Sequence, residues 1–296
     1  MLDKKANLKG KTAVILGGGG GIGRAVTLSL AGMGVNIAVC DRDLPALKET
    51  AQDVEMLGVS CLAVEVDVLS SQAVDQFYAA VAKDFNRLDI VVNLAGGVRQ
   101  RDFADGTDEQ DAEDIRRNYG YVIQSIRLAI PLIERGGRGG SIINFTTIES
   151  RRGAAGFAVY AGAKAATANL TRALAVELGP KRIRVNELTP DTTPSAGNAN
   201  ALTPERLQKM QGMDPQDMAA AMATYIPLGT PPSAEQLADA VVFLASDLSQ
   251  AITGVAIPVD GGTGAAMGFL NWPYGSGFGP APVGDAARHL FAALHS

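Results

Sequence analysis

Five consecutive glycines, Gly17 to Gly21, follow the apolar run Thr12-Ala13-Val14-Ile15-Leu16 and lead into Ile22-Gly23-Arg24. Beyond them Val26, Leu30 and Met33 recur at helical spacing. A short apolar run suits a strand buried on both faces, and the later periodicity suits an amphipathic helix. Strand, glycine turn and helix in that order let backbone amides approach a pyrophosphate at a helix N-terminus. A glycine run can also be a loose linker, but a linker is not flanked by a buried strand and an amphipathic helix.

The next apolar segment, Val35 to Cys40, ends in Asp41, 18 residues beyond Gly23. A carboxylate at the end of a second strand is placed to accept hydrogen bonds from ribose hydroxyls, and it repels a 2′-phosphate. That favours NAD over NADP, although Arg42 beside it could turn in to hold a phosphate. Asp67, after Val64-Glu65-Val66, is placed to contact adenine or to serve as a helix N-cap or turn residue. Helical patterns near 44–57 and 71–85 separate these segments, and Asp89-Ile90-Val91-Val92-Asn93 continues the alternation. Strands alternating with helices predict a single α/β domain, a Rossmann-like doubly wound parallel sheet of about seven strands over residues 1–263. The turn Asn93-Leu94-Ala95-Gly96-Gly97 then falls at a carboxyl strand end, where such sheets bind ligands.

The balance of the chain narrows the function. With a formal charge of -5 over 296 residues there is no basic footprint for nucleic acid. No apolar run reaches membrane-spanning length and the N-terminus is polar, so a soluble cytoplasmic protein is expected. Cys40 and Cys61 lie in strand-like segments and suit buried reduced thiols. His289 and His295 are the only histidines, which leaves almost no zinc ligands, and no metal is expected.

The second half carries the chemistry. A helical stretch from about Glu109 to Glu134 contains Asn118, a residue type disfavoured inside helices. After it come a glycine-rich turn, the strand Ser141 to Phe145, then Thr146-Thr147. Tyr160 and Lys164 follow, four apart and therefore on one helix face. An ammonium about 4 Å from a phenol favours the phenolate by roughly 4 kcal/mol at an effective dielectric of about 20, which predicts a lowered Tyr160 pKa.

Taken together, these pieces resemble the short-chain dehydrogenase/reductase family. Gly17, Gly21 and Gly23 match its T-G-x-x-x-G-x-G, Asn93 to Gly96 its N-N-A-G, Asn118 its helix asparagine, and Tyr160/Lys164 its Y-x-x-x-K. Pro190 and Asp260-Gly261-Gly262 extend the match over about residues 8–263. The resemblance implies hydride transfer between nicotinamide and a secondary alcohol or ketone, with Tyr160 as general acid/base. Lys164 lowers its pKa and holds the ribose, Asn118 keeps a water in a proton relay, and Thr147 orients the substrate oxygen where the family has serine. The implied cofactor set is Gly17, Gly21, Ile22, Gly23, Asp41, Arg42, Asp67, Val68, Asn93, Ala95, Gly96, Tyr160, Lys164, Pro190 and Ser195. Thr147, Glu149, Phe157 and Asp191 are expected to face substrate. A homotetramer or homodimer, pairing through the helices near 109–134 and 158–179, is the family expectation.

Several positions depart from the pattern. Leu16 replaces a threonine and Leu94 an asparagine, each loss removing a bracing hydrogen bond worth about 1 kcal/mol. Asp191 stands where the family has glycine and puts a carboxylate near the nicotinamide end or into solvent. These departures keep open a cofactor-binding sensor or scaffold without turnover, and epimerase or dehydratase chemistry on the same frame. Residues 191–232 form the expected lid, whose Met210, Met213, Met218 and Met222 either line an adaptable pocket or pack as core. Arg99, Arg101, Arg151 and Arg152 border the cleft as anion binders or as solvated loop arginines. Residues 264–296, with Trp272 among aromatics, are expected to pack on the domain or on a neighbouring subunit.

Overall fold

The computed structural model describes residues 2–97, 100–195, 208, 211–275 and 277–291. Arg99, Met210, Leu294, His295 and residues 196–207 of the expected lid lie outside them. Strands β1 (Thr12–Leu16), β2 (Asn36–Asp41), β3 (Cys61–Glu65), β4 (Ile90–Asn93), β5 (Gly140–Phe145), β6 (Ile183–Pro190) and β7 (Ala256–Val259) form one sheet. Every pairing is parallel and the order is β3-β2-β1-β4-β5-β6-β7. The strand order reverses between β1 and β4, so their carboxyl ends open a crevice there.

Alternation along β1 explains the two layers. Val14 and Leu16 enter one core with Val74 and Phe77 of α4 (Ser71–Asp84), while Ala13 and Ile15 enter the other with Val26 and Leu30 of α2 (Gly21–Gly32). α1 (Leu2–Ala6) precedes the sheet, and α3 (Leu44–Met56) covers the α2 side, where Asp43 caps its first turn. β1 is buried along its whole length on both sides, as a central strand of a parallel sheet requires. Cys40 is buried and Cys61 half-buried, and both are free thiols.

The long helix expected over 109–134 is three pieces: α5 (Asp108–Ile115), a π-helical turn at Arg116–Gly120, and α6 (Tyr121–Gly136). Asn118 is the reason. Its amide donates to the Asp114 carbonyl at 3.0 Å, the acceptor that its own N–H would use in an α-helix, and the backbone shifts register by one.

A buried polar seam joins α4, α6, the sheet and α7 (Ala158–Leu178). Tyr78 pairs with Ser125 at 2.8 Å, Ser125 donates to Asn93 at 2.6 Å, Asn93 to Asn144 at 2.8 Å, and Asn144 to Thr171 at 2.9 Å. Along α7 Ala168 is buried within the subunit, while Ala161 and Ala165 stay partly accessible.

α8 (Pro215–Tyr225) and α9 (Ala234–Ala245) lead to β7. The extension then forms α10 (Thr263–Ala266), an antiparallel pair β8 (Leu270–Asn271) and β9 (Phe278–Gly279), and α11 (Asp285–Phe291). β8 packs against α8. Among the described residues no helix is long and apolar enough to cross a membrane.

Candidate active site

The β1–α2 turn is held open by backbone shape. Gly17 has φ +86°, and a Cβ there would sit 2.6 Å from the Ala95 backbone. A Cβ on Gly23 would lie 1.9 Å from the Gly17 carbonyl oxygen, so helix and turn meet backbone to backbone. Gly20, the cap of α2, offers no side-chain hydrogen bond, which leaves the first-turn amides of a 12-residue helix facing the crevice. The bracing lost at Leu16 is recovered elsewhere: Thr27 donates to the Gly18 carbonyl at 3.1 Å and Thr50 to that of Gly19 at 2.8 Å. For Leu94 the backbone substitutes, Ala95 N–H reaching the Leu16 carbonyl at 2.7 Å.

A cleft of about 360 Å³ runs from this turn to α7. Gly17, Gly21, Ile22, Asp41, Arg42, Asp67, Val68, Ala95, Gly96, Tyr160, Lys164, Pro190 and Ser195 all line it. Gly23 does not, since it packs against Gly17, and Asn93 does not, since its amide is spent in the seam. Asp41 accepts from Gly19 N–H at 2.9 Å and from Asp43 N–H at 3.1 Å, so its carboxylate is fixed at the end of β2. Asp67 is a turn residue that accepts from Leu69 N–H, while Ser70 caps α4. Uncapped amides, a glycine cradle and an anchored carboxylate at the far end fit a nucleotide with a pyrophosphate and a ribose.

At the other end stand Thr147, Tyr160 and Lys164. Lys164 is 4% exposed and donates to the Phe145 carbonyl at 2.9 Å. Burial pushes its pKa down from 10.5 to about 8. Its nitrogen lies over the Tyr160 ring, 5.8 Å from the centroid. The Tyr160 pKa is raised, opposite to the sequence expectation: burial pushes it up, the Glu149 charge adds to that, and a hydrogen bond with Thr147 pulls it back. The expectation counted an ion pair at about 4 Å and no desolvation, whereas here the ammonium is spent on a carbonyl and the half-buried phenol is partly desolvated. Asn118, fully buried, donates to the Gly97 carbonyl at 2.9 Å and thereby ties the β4 turn to the π-helical turn.

Next to these residues is a cavity of about 580 Å³, walled by Glu149, Arg152, Phe157 and Tyr225 and, from the extension, by Phe269 and Leu270. Asp191 neither faces the nucleotide cleft nor points to solvent; it accepts from the Tyr225 hydroxyl at 2.6 Å and from Arg152 at 3.4 Å. Arg152 also donates to Glu149 at 2.7 Å, so it is neutralised by two carboxylates. Arg101 is likewise paired, with Asp111 and Asp114. Met213 is exposed, and neither Met218 nor Met222 lines the cavity. Sequence reasoning missed Tyr225, Phe269 and Leu270 as cavity walls and Arg117 as a cleft wall. Only the aromatic character of Phe269 signalled a surface to cover.

Residues 18–264 match the family profile described as enoyl-(acyl carrier protein) reductase. The chain is 34% identical over 259 residues to L-xylulose reductase of Bos taurus, covering 86% of this chain and 97% of that one. It is 30% identical over 259 residues to 7alpha-hydroxysteroid dehydrogenase of Escherichia coli, covering 86% and 94%. The crystal structure of carveol dehydrogenase from Mycobacterium avium in complex with NAD superposes with a TM-score of 0.79 at 30% identity, covering 87% and 99%. The chain belongs to the short-chain dehydrogenase/reductase family. It is an oxidoreductase that works with a nicotinamide cofactor on alcohol and ketone groups.

Proposed function

We propose that this enzyme is an NAD-preferring dehydrogenase or reductase of a small secondary alcohol or its ketone, in which Tyr160 moves the proton at the reacting oxygen. The observation that carries the reading is that Tyr160 and Lys164 line one end of the nucleotide cleft, while Thr147 is hydrogen-bonded to Glu149, a wall of the second cavity. The bound nicotinamide supplies or takes up hydride. Tyr160 gives its proton to the oxygen of a ketone, or receives one from an alcohol, and Thr147 holds that oxygen in line. Lys164 positions the phenol and the ribose from below, and Asn118 fixes the Gly97 turn against which the cofactor lies.

The NAD preference rests on Asp41. Its carboxylate is already pinned by two backbone amides, so it cannot swing away from a 2′-phosphate, and repulsion follows. Arg42 lines the same end of the cleft but is exposed. Substrate enters the second cavity, whose walls come from the lid at Tyr225 and from the extension at Phe269 and Leu270. With Arg152 paired to two carboxylates, neutral substrates with an apolar flank fit it better than carboxylates do. We place the protein in the cytoplasm as a homotetramer or homodimer.

The test is nicotinamide absorbance with NAD and with NADP against a panel containing carveol, L-xylulose, L-rhamnose and a 7α-hydroxysteroid, beside a Tyr160→Phe control. Turnover with NAD that falls by about a thousandfold in the control, with cofactor still bound, supports the reading. Equal turnover in the control overturns it.

A further inference from the structure

The amino ends of β1, β4, β5 and β6, at the opposite end of the sheet from the nucleotide cleft, line a cavity of about 610 Å³. Two of its wall residues are carboxylates, Asp89 and Asp247, and both are already matched. Asp89 pairs with Arg87 and accepts from Thr12 N–H at 3.0 Å, while Asp247 accepts from Lys11 at 2.8 Å and from the Asn7 amide at 2.8 Å. Four further cations stand in the same wall: Lys9, Arg138, Arg182 and Arg184. Among the described residues none of the four has a carboxylate within ion-pair distance. On a chain with a formal charge of -5, this end of the sheet concentrates positive charge.

Helix ends absorb only part of it. Arg184 donates to the Leu244 and Ser246 carbonyls at 2.7 and 3.2 Å, and Arg182 to the Gly137 carbonyl at 2.8 Å, so these two serve the C-termini of α9 and α6. A helix C-terminus carries about −0.5 charge; those two and the end of α7, beside Gly179 in the wall, leave about +2.5 of the four charges. Donors are also left over. A guanidinium has five N–H groups, and the Arg182 side chain makes a single hydrogen bond. The Nε of Arg87 is buried without a hydrogen-bond partner. Lys9 and Arg138 are exposed, and among the described residues their side chains have no partner. The loop that carries Arg138 is nonetheless fixed. Gly139 has φ +78°, and a Cβ there would lie 2.2 Å from the Arg182 carbonyl oxygen, so this loop is seated on the Arg182 backbone.

We propose that this cavity is a second anion site, which takes a small ligand with two phosphoryl groups and holds it through Lys9, Arg138 and Arg182. Charge decides the class of ligand. One phosphate, at about −1.5 to −2 near neutral pH, leaves part of the surplus uncovered, whereas two phosphoryl groups match it. Guanidinium forks hold phosphate oxygens in pairs, and a concave wall of one sign focuses the field on whatever enters. The site shares no lining residue with the nucleotide cleft or the substrate cavity, so it stands or falls apart from the proposed reaction.

The experiment is a calorimetric titration of inorganic pyrophosphate into the full chain at low salt, with NADH present to fill the nucleotide cleft. Wild type should bind a single pyrophosphate, and inorganic phosphate about tenfold more weakly. Lys9→Gln and Arg138→Gln should each weaken pyrophosphate about fivefold, and the double variant about twenty-five-fold. Both side chains are exposed and unbonded, so these substitutions leave the fold intact. Lys48→Gln, on α3 and outside the cavity wall, removes the same charge elsewhere and should bind as wild type does. No pyrophosphate binding, unchanged affinity in both Lys9→Gln and Arg138→Gln, or an equal loss in Lys48→Gln overturns the proposal. Phosphate bound as tightly as pyrophosphate overturns the assignment of two phosphoryl groups.

Discussion

On the β1–β2 side of the cleft the groups that face a ligand are backbone amides and one anchored carboxylate, whereas on the β5–β6 side they are ionisable side chains bonded to one another. The first region is defined by what is absent, side chains at Gly17, Gly20, Gly21 and Gly23, and its geometry is set by close backbone contact. The second is defined by charges held out of water, with Lys164 at 4% exposed and Glu149, Arg152, Asp191 and Tyr225 sharing hydrogen bonds. A shape made of backbone tolerates little and costs little to maintain, while a cluster of buried charges is costly to keep and adjustable by single substitutions.

The sharpest way to break the contrast is at Gly23. Gly23→Ala places a methyl 1.9 Å from the Gly17 carbonyl, which no rotamer relieves. We expect about 3–4 kcal/mol of lost stability together with loss of NAD binding, read by thermal melts and by titration of NADH fluorescence. A melt unchanged from wild type would mean that the turn has room to spare. Lys164→Met should act with the opposite sign. The Lys164 pKa is depressed, so the folded protein holds fewer protons than the unfolded chain between about pH 8 and 10.5. The penalty for burying the ammonium is therefore complete below about pH 8 and fades as pH rises toward 10.5. The methionine variant without cofactor should gain about 2 kcal/mol at pH 7 after losing the bond to Phe145, and that gain should vanish by about pH 10.5, while turnover is abolished.

Smaller effects sharpen the comparison at its edges. Asp41→Asn keeps the acceptor for Gly19 N–H but drops the charge, and the NAD-over-NADP ratio of kcat/KM should fall by about tenfold, near 1.4 kcal/mol. An unchanged ratio would assign cofactor choice to Arg42 instead. Phe269→Ala opens the wall that the extension contributes to the second cavity. Because Phe269 is 49% exposed, the expected cost is about 1 kcal/mol, a fivefold rise in substrate KM with kcat retained. No change in KM would remove the extension from the site.

The two regions were also unequally legible. Strand, glycine run, helix and Asp41 are local signals, so most of the residues that line the cleft were legible in the sequence, Arg117 excepted. Asn93 was misleading because its motif position predicts a cofactor contact, while its side chain turns inward to Asn144, a partner 51 residues away. Glu149, Asp191 and Arg152 were singled out one by one, yet not as a cluster. Tyr225, the partner of both Arg152 and Asp191, lies 73 residues beyond the first and 34 beyond the second, and no periodicity encodes that meeting. The Tyr160 shift failed for a related reason: spacing predicts which side chains share a face, but not that a carbonyl will claim the ammonium.

The seam from Tyr78 to Thr171 has a consequence for how the chain finds one structure. Two layers of Val, Ile, Leu and Ala could slide on the sheet by a residue and still bury oil against oil. Sliding α7 past β5 would strand the amide of Asn144 and the hydroxyl of Thr171, at about 1–3 kcal/mol for each group left alone. The amides and hydroxyls along this line thus work as the wards of a lock. They admit a single alignment of α4, α6 and α7, and with it the one placement of Tyr160 and Lys164 that puts them at the mouth of the cleft.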